Sequence, residues 1–324
     1  MTTLLGYHCS HENVPPDALL AAVQAAERVG FDAAMCSDHL APWGVRQGES
    51  GFAWSWLGAA LATTRFTLGV VNAPGQRYHP AIIAQAIATL GVMFPGRFWA
   101  ALGSGEAMNE HVSGDGWPAK PVREARRDET GEVIRDLLDG EEVTRDGLVR
   151  VHRAKVWSLP EVPPRLVGAA VTAATAERVA AWADGLITVV GSPDDMRRVI
   201  GAYRDAGGQG PCVVQAHLSW APTDAEAIAI AMEQWRHGPA VAPPELWDIA
   251  DPEEFDRRAA AVGEDEVRAS VLVDHEPGRL AERLGGIVDA GFDGIYLHHV
   301  GRDQAPFLAM AGTELLPTLR EATA

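Results

Sequence analysis

Lysine is nearly absent from this chain. Only Lys120 and Lys155 occur among 324 residues, and 27 basic residues face 44 acidic ones for a formal charge of −17. A surface so balanced repels polyanions, which argues against DNA or RNA as a partner. A phosphate on a substrate or cofactor must then rely on arginine, helix N-termini or backbone amides. Cysteine is scarce as well. Cys9, Cys36 and Cys212 are scattered and form no CxxC pair, so neither a disulfide framework nor a thiolate zinc centre is expected. Each sits in an apolar, strand-like run, where a small buried hydrophobe is the ordinary role. No apolar run approaches the roughly 18–20 residues of a bilayer span. The opening Met1-Thr2-Thr3-Leu4-Leu5-Gly6 has no basic region or signal core. The expectation is a cytoplasmic protein without a membrane partner.

What is present is a rhythm. Short apolar runs at 4–8, 32–37, 66–71, 97–102, 165–170, 186–190, 212–220 and 294–299 alternate with helical patterns. The helices fall at 15–29, 52–64, 80–93, 124–138, 173–182, 193–206, 224–235, 278–290 and 305–320. Such alternation is what parallel βα units require. Two stretches break it. Residues 141–159 read as a hairpin turning at Arg145-Asp146-Gly147, and residues 239–266 as a polar, Pro-rich and partly helical insertion. An open doubly wound sheet would place a Gly-rich loop after the first strand. Here that loop is Cys9-Ser10-His11-Glu12, without glycine. The expected fold is a (β/α)₈ TIM barrel, one domain over 1–324, with insertions at about 141–160 and 239–266.

Barrel enzymes work at the C-terminal ends of their strands. The second strand ends in Ser37-Asp38-His39, followed by Trp43. His39 is a candidate general base and Asp38 a candidate orienter; equally, Asp38 could cap a turn while His39 packs on Trp43. The fourth strand ends in Gly103-Ser104-Gly105-Glu106-Ala107-Met108-Asn109-Glu110. Its glycines admit a flat ligand, and Glu106 becomes an acid if burial raises its pKa. The third strand leads into Val71-Asn72-Ala73-Pro74-Gly75, a plain turn or a non-standard peptide behind a ring. Small residues at Ala169, Ala170 and Val190 precede helix starts, where barrels hold phosphate. His8, His39 and His298 could gather a metal, but His298 and His299 must face opposite ways and no carboxylate has ligand spacing, so no metal is expected. Of ten tryptophans, several among Trp43, Trp54, Trp56, Trp99 and Trp117 fall in or beside the expected mouth, where aromatic walls suit a planar cofactor or an apolar substrate; Trp54 and Trp56 could equally pack inside a helix.

These segments resemble a known family. Ser37-Asp38-His39, Gln47-Gly48-Glu49-Ser50, Arg77-Tyr78-His79-Pro80, Phe94-Pro95-Gly96-Arg97-Phe98 and Gly103 to His111 look like the luciferase-like flavin and deazaflavin oxidoreductases, as does Tyr296 to Gln304. The branch of deazaflavin-dependent glucose-6-phosphate dehydrogenases is similar. The resemblance implies a barrel that is usually a homodimer, with His39 and Glu106 as base and acid. It places Asp38, Trp43, Val71, Asn72, Ser104, Gly105 and Asn109 on the cofactor, with Ala169 and Ala170 near its phosphate. Two departures matter. No lysine follows Lys155 to hold a sugar phosphate, and the turn at Asn72-Ala73-Pro74-Gly75 differs from the usual one. A sister branch with a similar turn uses FMN. The expected function is therefore FMN-dependent hydride transfer or monooxygenation of a small organic substrate. The alternatives are a coenzyme F420-dependent dehydrogenase or reductase, a metal-dependent barrel hydrolase, and a flavin-binding protein without turnover.

Overall fold

A computed structural model describes residues 3–322. Its strands are β1 (Leu4–Cys9), β2 (Ala33–Ser37), β3 (Leu68–Asn72), β4 (Phe98–Leu102), β5 (Val143–Asp146), β6 (Arg150–Ala154), β7 (Arg165–Ala169), β8 (Leu186–Val189), β9 (Cys212–Trp220), β10 (Leu272–Asp274) and β11 (Gly294–His299). All pairings but β5–β6 are parallel. The order β11-β1-β2-β3-β4-β7-β8-β9 closes when β9 returns to β11, and helices follow the strands. This is a (β/α)₈ barrel.

Strand alternation divides the residues between two apolar layers. On β2, Ala34 and Cys36 face the helices, while Ala33 and Met35 face the lumen. On β4, Phe98, Ala100 and Leu102 go outward, and Trp99 and Ala101 inward. Trp99 and Tyr296 fill the lumen, their rings 6.0 Å apart. Space for them comes from two strand glycines. A Cβ on Gly69 would lie 2.0 Å from the Trp99 ring, and one on Gly6 would lie 2.2 Å from the ring of Tyr296. Trp99 is therefore a plug in the lumen rather than part of the mouth wall. All three cysteines are buried and free.

Four details escape sequence patterning. A short helix, Ala107–Glu110, follows directly on β4. The next begins at Lys120 rather than Glu124, with proline in its first turn, and so carries Lys120 and Arg123 to the rim. The insertion is partly helical as expected, with helices Pro252–Ala259 and Glu264–Ser270, but the chain beyond it forms an unforeseen strand, β10, which pairs with Leu218 to Trp220 of β9 beyond the end of β8. The last helical region is interrupted by a π turn, Ala311–Leu315. Among the described residues no helix is long and apolar enough to cross a membrane.

Candidate active site

A cavity of about 390 Å³ opens at the C-terminal ends of the barrel strands, within the range of small-molecule sites. Eleven of the twelve residues expected there line it: Asp38, His39, Trp43, Val71, Asn72, Ser104, Gly105, Glu106, Asn109, Ala169 and Ala170. Val190 does not. It packs against the outer apolar core, on the face opposite to its neighbour Val189, which lines the cavity.

The loops after β1, β2 and β4 deliver the polar side chains at the centre of the site. His39 leaves β2 and stands between two carboxylates: Nδ1 is 3.4 Å from Glu12 Oε1, and Nε2 is 3.7 Å from Glu106 Oε2. Each carboxylate is itself held. Ser10 Oγ donates to Glu12 at 2.6 Å. Asn109 Nδ2 donates to Glu106 at 3.0 Å, and Asn109 Oδ1 accepts from the Leu40 amide at 2.8 Å, tying the β2 loop to the β4 loop. Burial raises the Glu106 carboxyl above the ordinary range, against the pull of His39 and Arg77. A carboxyl in that condition stays protonated closer to neutral pH and can serve as an acid.

Asp38 does something different. Its carboxylate accepts from Trp54 Nε1 and Tyr78 OH, each at 3.2 Å, and lies 3.4 Å from Arg77 Nη2. Arg77 also donates to the Asp38 carbonyl at 2.8 Å, and its Nε sits 3.7 Å from Glu110 Oε1. Burial pushes the Glu110 carboxyl up to about 7 despite the Arg77 amide and guanidinium. Asp38, Arg77 and Glu110 thus brace the loop that carries His39.

The wall facing this bracket is aromatic. Trp43 stacks on His237 at 5.9 Å with ring planes 2° apart, and Trp235 lies 4.2 Å from His217. His217 and His298 share a hydrogen bond at 2.9 Å between their Nδ1 atoms, and His8 bonds Ser37 at 3.2 Å. His298 faces the cavity while His299 stacks outward on Phe307, as strand alternation requires. Burial holds His217 and His237 down to about 3. His8 and His298 meet, 4.5 Å between ring centroids, but no group of three or more His, Cys, Asp or Glu among the described residues could hold a metal.

Sequence reading missed Glu12, His217, Trp235, His237, Lys120 and Arg123, all of which line the cavity. Glu12 was findable, since it lies just past the first strand. His217 was not, because its role depends on the β9–β11 register that sets it opposite His298. The turn after β3 holds no cis peptide; it closes through the Gly75 amide to the Tyr78 carbonyl at 2.8 Å. Trp54 packs on Phe98 behind Asp38, the helix-packing alternative of the sequence reading.

The profile of a family described as luciferase-like monooxygenase matches residues 4–294. An F420-dependent glucose-6-phosphate dehydrogenase of Beutenbergia cavernae is 35% identical over 98% of this chain and 97% of its own. The same-named enzyme of Nakamurella multipartita is 36% identical, covering 97% and 96%. Among solved structures, an F420-dependent secondary alcohol dehydrogenase in complex with an F420-acetone adduct superposes with a TM-score of 0.90 at 28% identity, over 98% of this chain and 99% of that one.

Proposed function

The chain belongs to the luciferase-like monooxygenase family, and from that premise we propose that this oxidoreductase uses coenzyme F420 to move a hydride to or from a small organic substrate. The observation that carries the reading is His39 held between Glu12 and Glu106 at the mouth of an aromatic cavity. FMN was the first expectation from sequence. The relatives at 35% and 36% identity are named for F420 dependence, so the deazaflavin takes precedence and FMN becomes the second outcome of the test.

The residues present fit such a group. Ala169, Ala170, Gly103 and Val71 leave a slot with little side-chain bulk. Asn72, on the cavity lining, has a buried Oδ1 without a partner. Lys120 and Arg123 lie together in the first turn of the helix at the rim, where a phosphate and an acidic tail can be met. When bound, the deazaflavin supplies the two-electron chemistry, taking a hydride from a substrate carbon or returning it.

The chain's own residues handle the proton and the geometry. As a substrate C–O bond becomes C=O, the proton on oxygen passes to His39 Nε2, and in reverse His39 returns it; Glu106, raised by burial, is the second proton-carrying group beside it. Glu12, fixed by Ser10, holds His39 Nδ1 and stabilises the ring when it is charged. Trp43 and Trp235 exclude water from one side of the cavity. A homodimer belongs to the same proposal, supported by the exposed apolar side chains Phe52, Ile82, Met93, Trp157 and Val162; sedimentation as a monomer at micromolar concentration would remove it.

The test is titration of purified, cofactor-free protein with F420 and with FMN, followed by absorption and fluorescence. Tight binding of F420 supports the proposal. Tight binding of FMN with weak F420 binding moves the enzyme to oxygen-linked flavin chemistry, and binding of neither overturns both.

A further inference from the structure

Hydride transfer leaves the substrate open, and the far wall of the cavity narrows it. That wall is made by Ile187, Gln215, His217, Trp235, His237 and His298. None of them carries a charge at neutral pH. Burial lowers His217 and His237 to about 3, and burial with the neighbouring His8 and His217 lowers His298 well below its ordinary value. With both rings neutral, one Nδ1 of the His217–His298 pair donates and the other accepts. Their Nε2 atoms are then complementary, one an acceptor and the other an N–H donor. His217 stays partly open on the cavity lining. Such a surface matches a neutral hydroxyl or carbonyl group and gives an anion no counter-charge.

Among the described residues, the cations on the lining are Lys120 and Arg123, the pair assigned above to the cofactor's phosphate and acidic tail, so they are not free for the substrate. Lys120 lies 3.7 Å from Glu124, and Arg123 donates to Asp248 at 3.2 Å and covers the Trp117 ring at 4.3 Å. The opposite wall adds the carboxyl groups of Glu12, Asp38, Glu106 and Glu110. A phosphate or carboxylate placed between these walls would lose its hydration without gaining a partner.

We infer that the substrate is an uncharged alcohol, or the matching aldehyde or ketone, with an apolar flank against Trp43 and Trp235. This rests on the hydride-transfer reading above, and it separates the chain from the sugar-phosphate specificity in its relatives' names.

Calorimetric titration of the protein, cofactor-free and F420-loaded, with cyclohexanol, cyclohexanone, cyclohexyl phosphate and glucose 6-phosphate tests it. The expected result is saturable binding of the neutral pair and at least ~100-fold weaker binding of both phosphates. Gln215→Arg and His217→Arg, each adding a cation to the far wall, should raise phosphate-ester affinity by roughly tenfold or more. Equal or tighter binding of cyclohexyl phosphate by the unaltered protein overturns the inference, and so does failure of both neutral compounds to bind. Cofactor behaviour tells two failures apart. If F420-loaded protein oxidises glucose 6-phosphate, hydride transfer stands and this inference falls; if the protein takes up neither F420 nor FMN, both fall.

Discussion

Replacing Arg77 with methionine should unfold the site's bracing in a pH-dependent way. The guanidinium is almost fully buried between Asp38 and Glu110, at 3.4 and 3.7 Å. At an effective dielectric near 20, each contact represents about 4–5 kcal/mol of gross attraction before desolvation. Removing one partner of a buried pair typically costs about 3–5 kcal/mol, because the remaining charge is stranded. Burial pushes the Glu110 carboxyl from its ordinary 4.5 up to about 7. Its folded pKa is raised, so its own contribution to stability declines as pH rises from roughly 4.5 through 7. At pH 8 Arg77 faces two carboxylates; at pH 5.5 Glu110 is already protonated and only the Asp38 part remains. Arg77→Met should therefore cost about 3–5 kcal/mol at pH 8 and roughly half of that at pH 5.5. Urea unfolding of both proteins at the two pH values reads this directly. In a double-mutant cycle with Glu110→Gln, the coupling should be present at pH 8 and nearly absent at pH 5.5. A cost that is the same at both pH values within ~0.5 kcal/mol, or below ~1 kcal/mol at pH 8, refutes the reasoning.

Other outcomes follow from the same geometry. Gly69→Ala drives a methyl into the Trp99 ring and should lose at least about 1–3 kcal/mol; Gly201→Ala, in an open helical position, should be neutral or stabilising by up to ~1 kcal/mol. Chemical denaturation compares them, and equal effects would contradict the lumen packing. His39→Ala should lower kcat about 10²–10⁴-fold while cofactor affinity measured by fluorescence changes little; loss of binding alone would reassign His39 to the cofactor. Glu106→Gln should lower kcat similarly and remove the alkaline limb of the rate profile that a raised acid produces, so an unchanged limb argues against Glu106 as acid. His237, neutral in the fold with a pKa of about 3, favours the unfolded state as pH falls below 6.5. His237→Phe keeps an aromatic face for Trp43 and should recover about 1.4 kcal/mol of the stability lost between pH 7.5 and 5.5; an unaltered pH slope in urea titrations would show that His237 is not buried uncharged.

Much of this molecule was legible in one dimension because its signals are local. Apolar runs of five or six residues separated by amphipathic helices dictate parallel strands, and the residue at the end of such a strand must reach the barrel mouth. That logic brought His39, Glu106 and Ala169 to the cavity, where the family resemblance added Asn109. It also separated His298 from His299, since adjacent strand residues face opposite sides. It failed by one position at Val190, where the strand's exact phase decides the face. Tertiary structure decided the rest, through contacts between residues far apart in the chain. The Glu12 carboxylate flanks His39 only because β1 and β2 are neighbours in register. His217 meets His298 across the β9–β11 pair, 81 residues apart. Arg77 acts on Asp38 from the loop after β3. Charge and proton affinity at the site depend on burial by these distant partners, and composition carries no record of who buries whom.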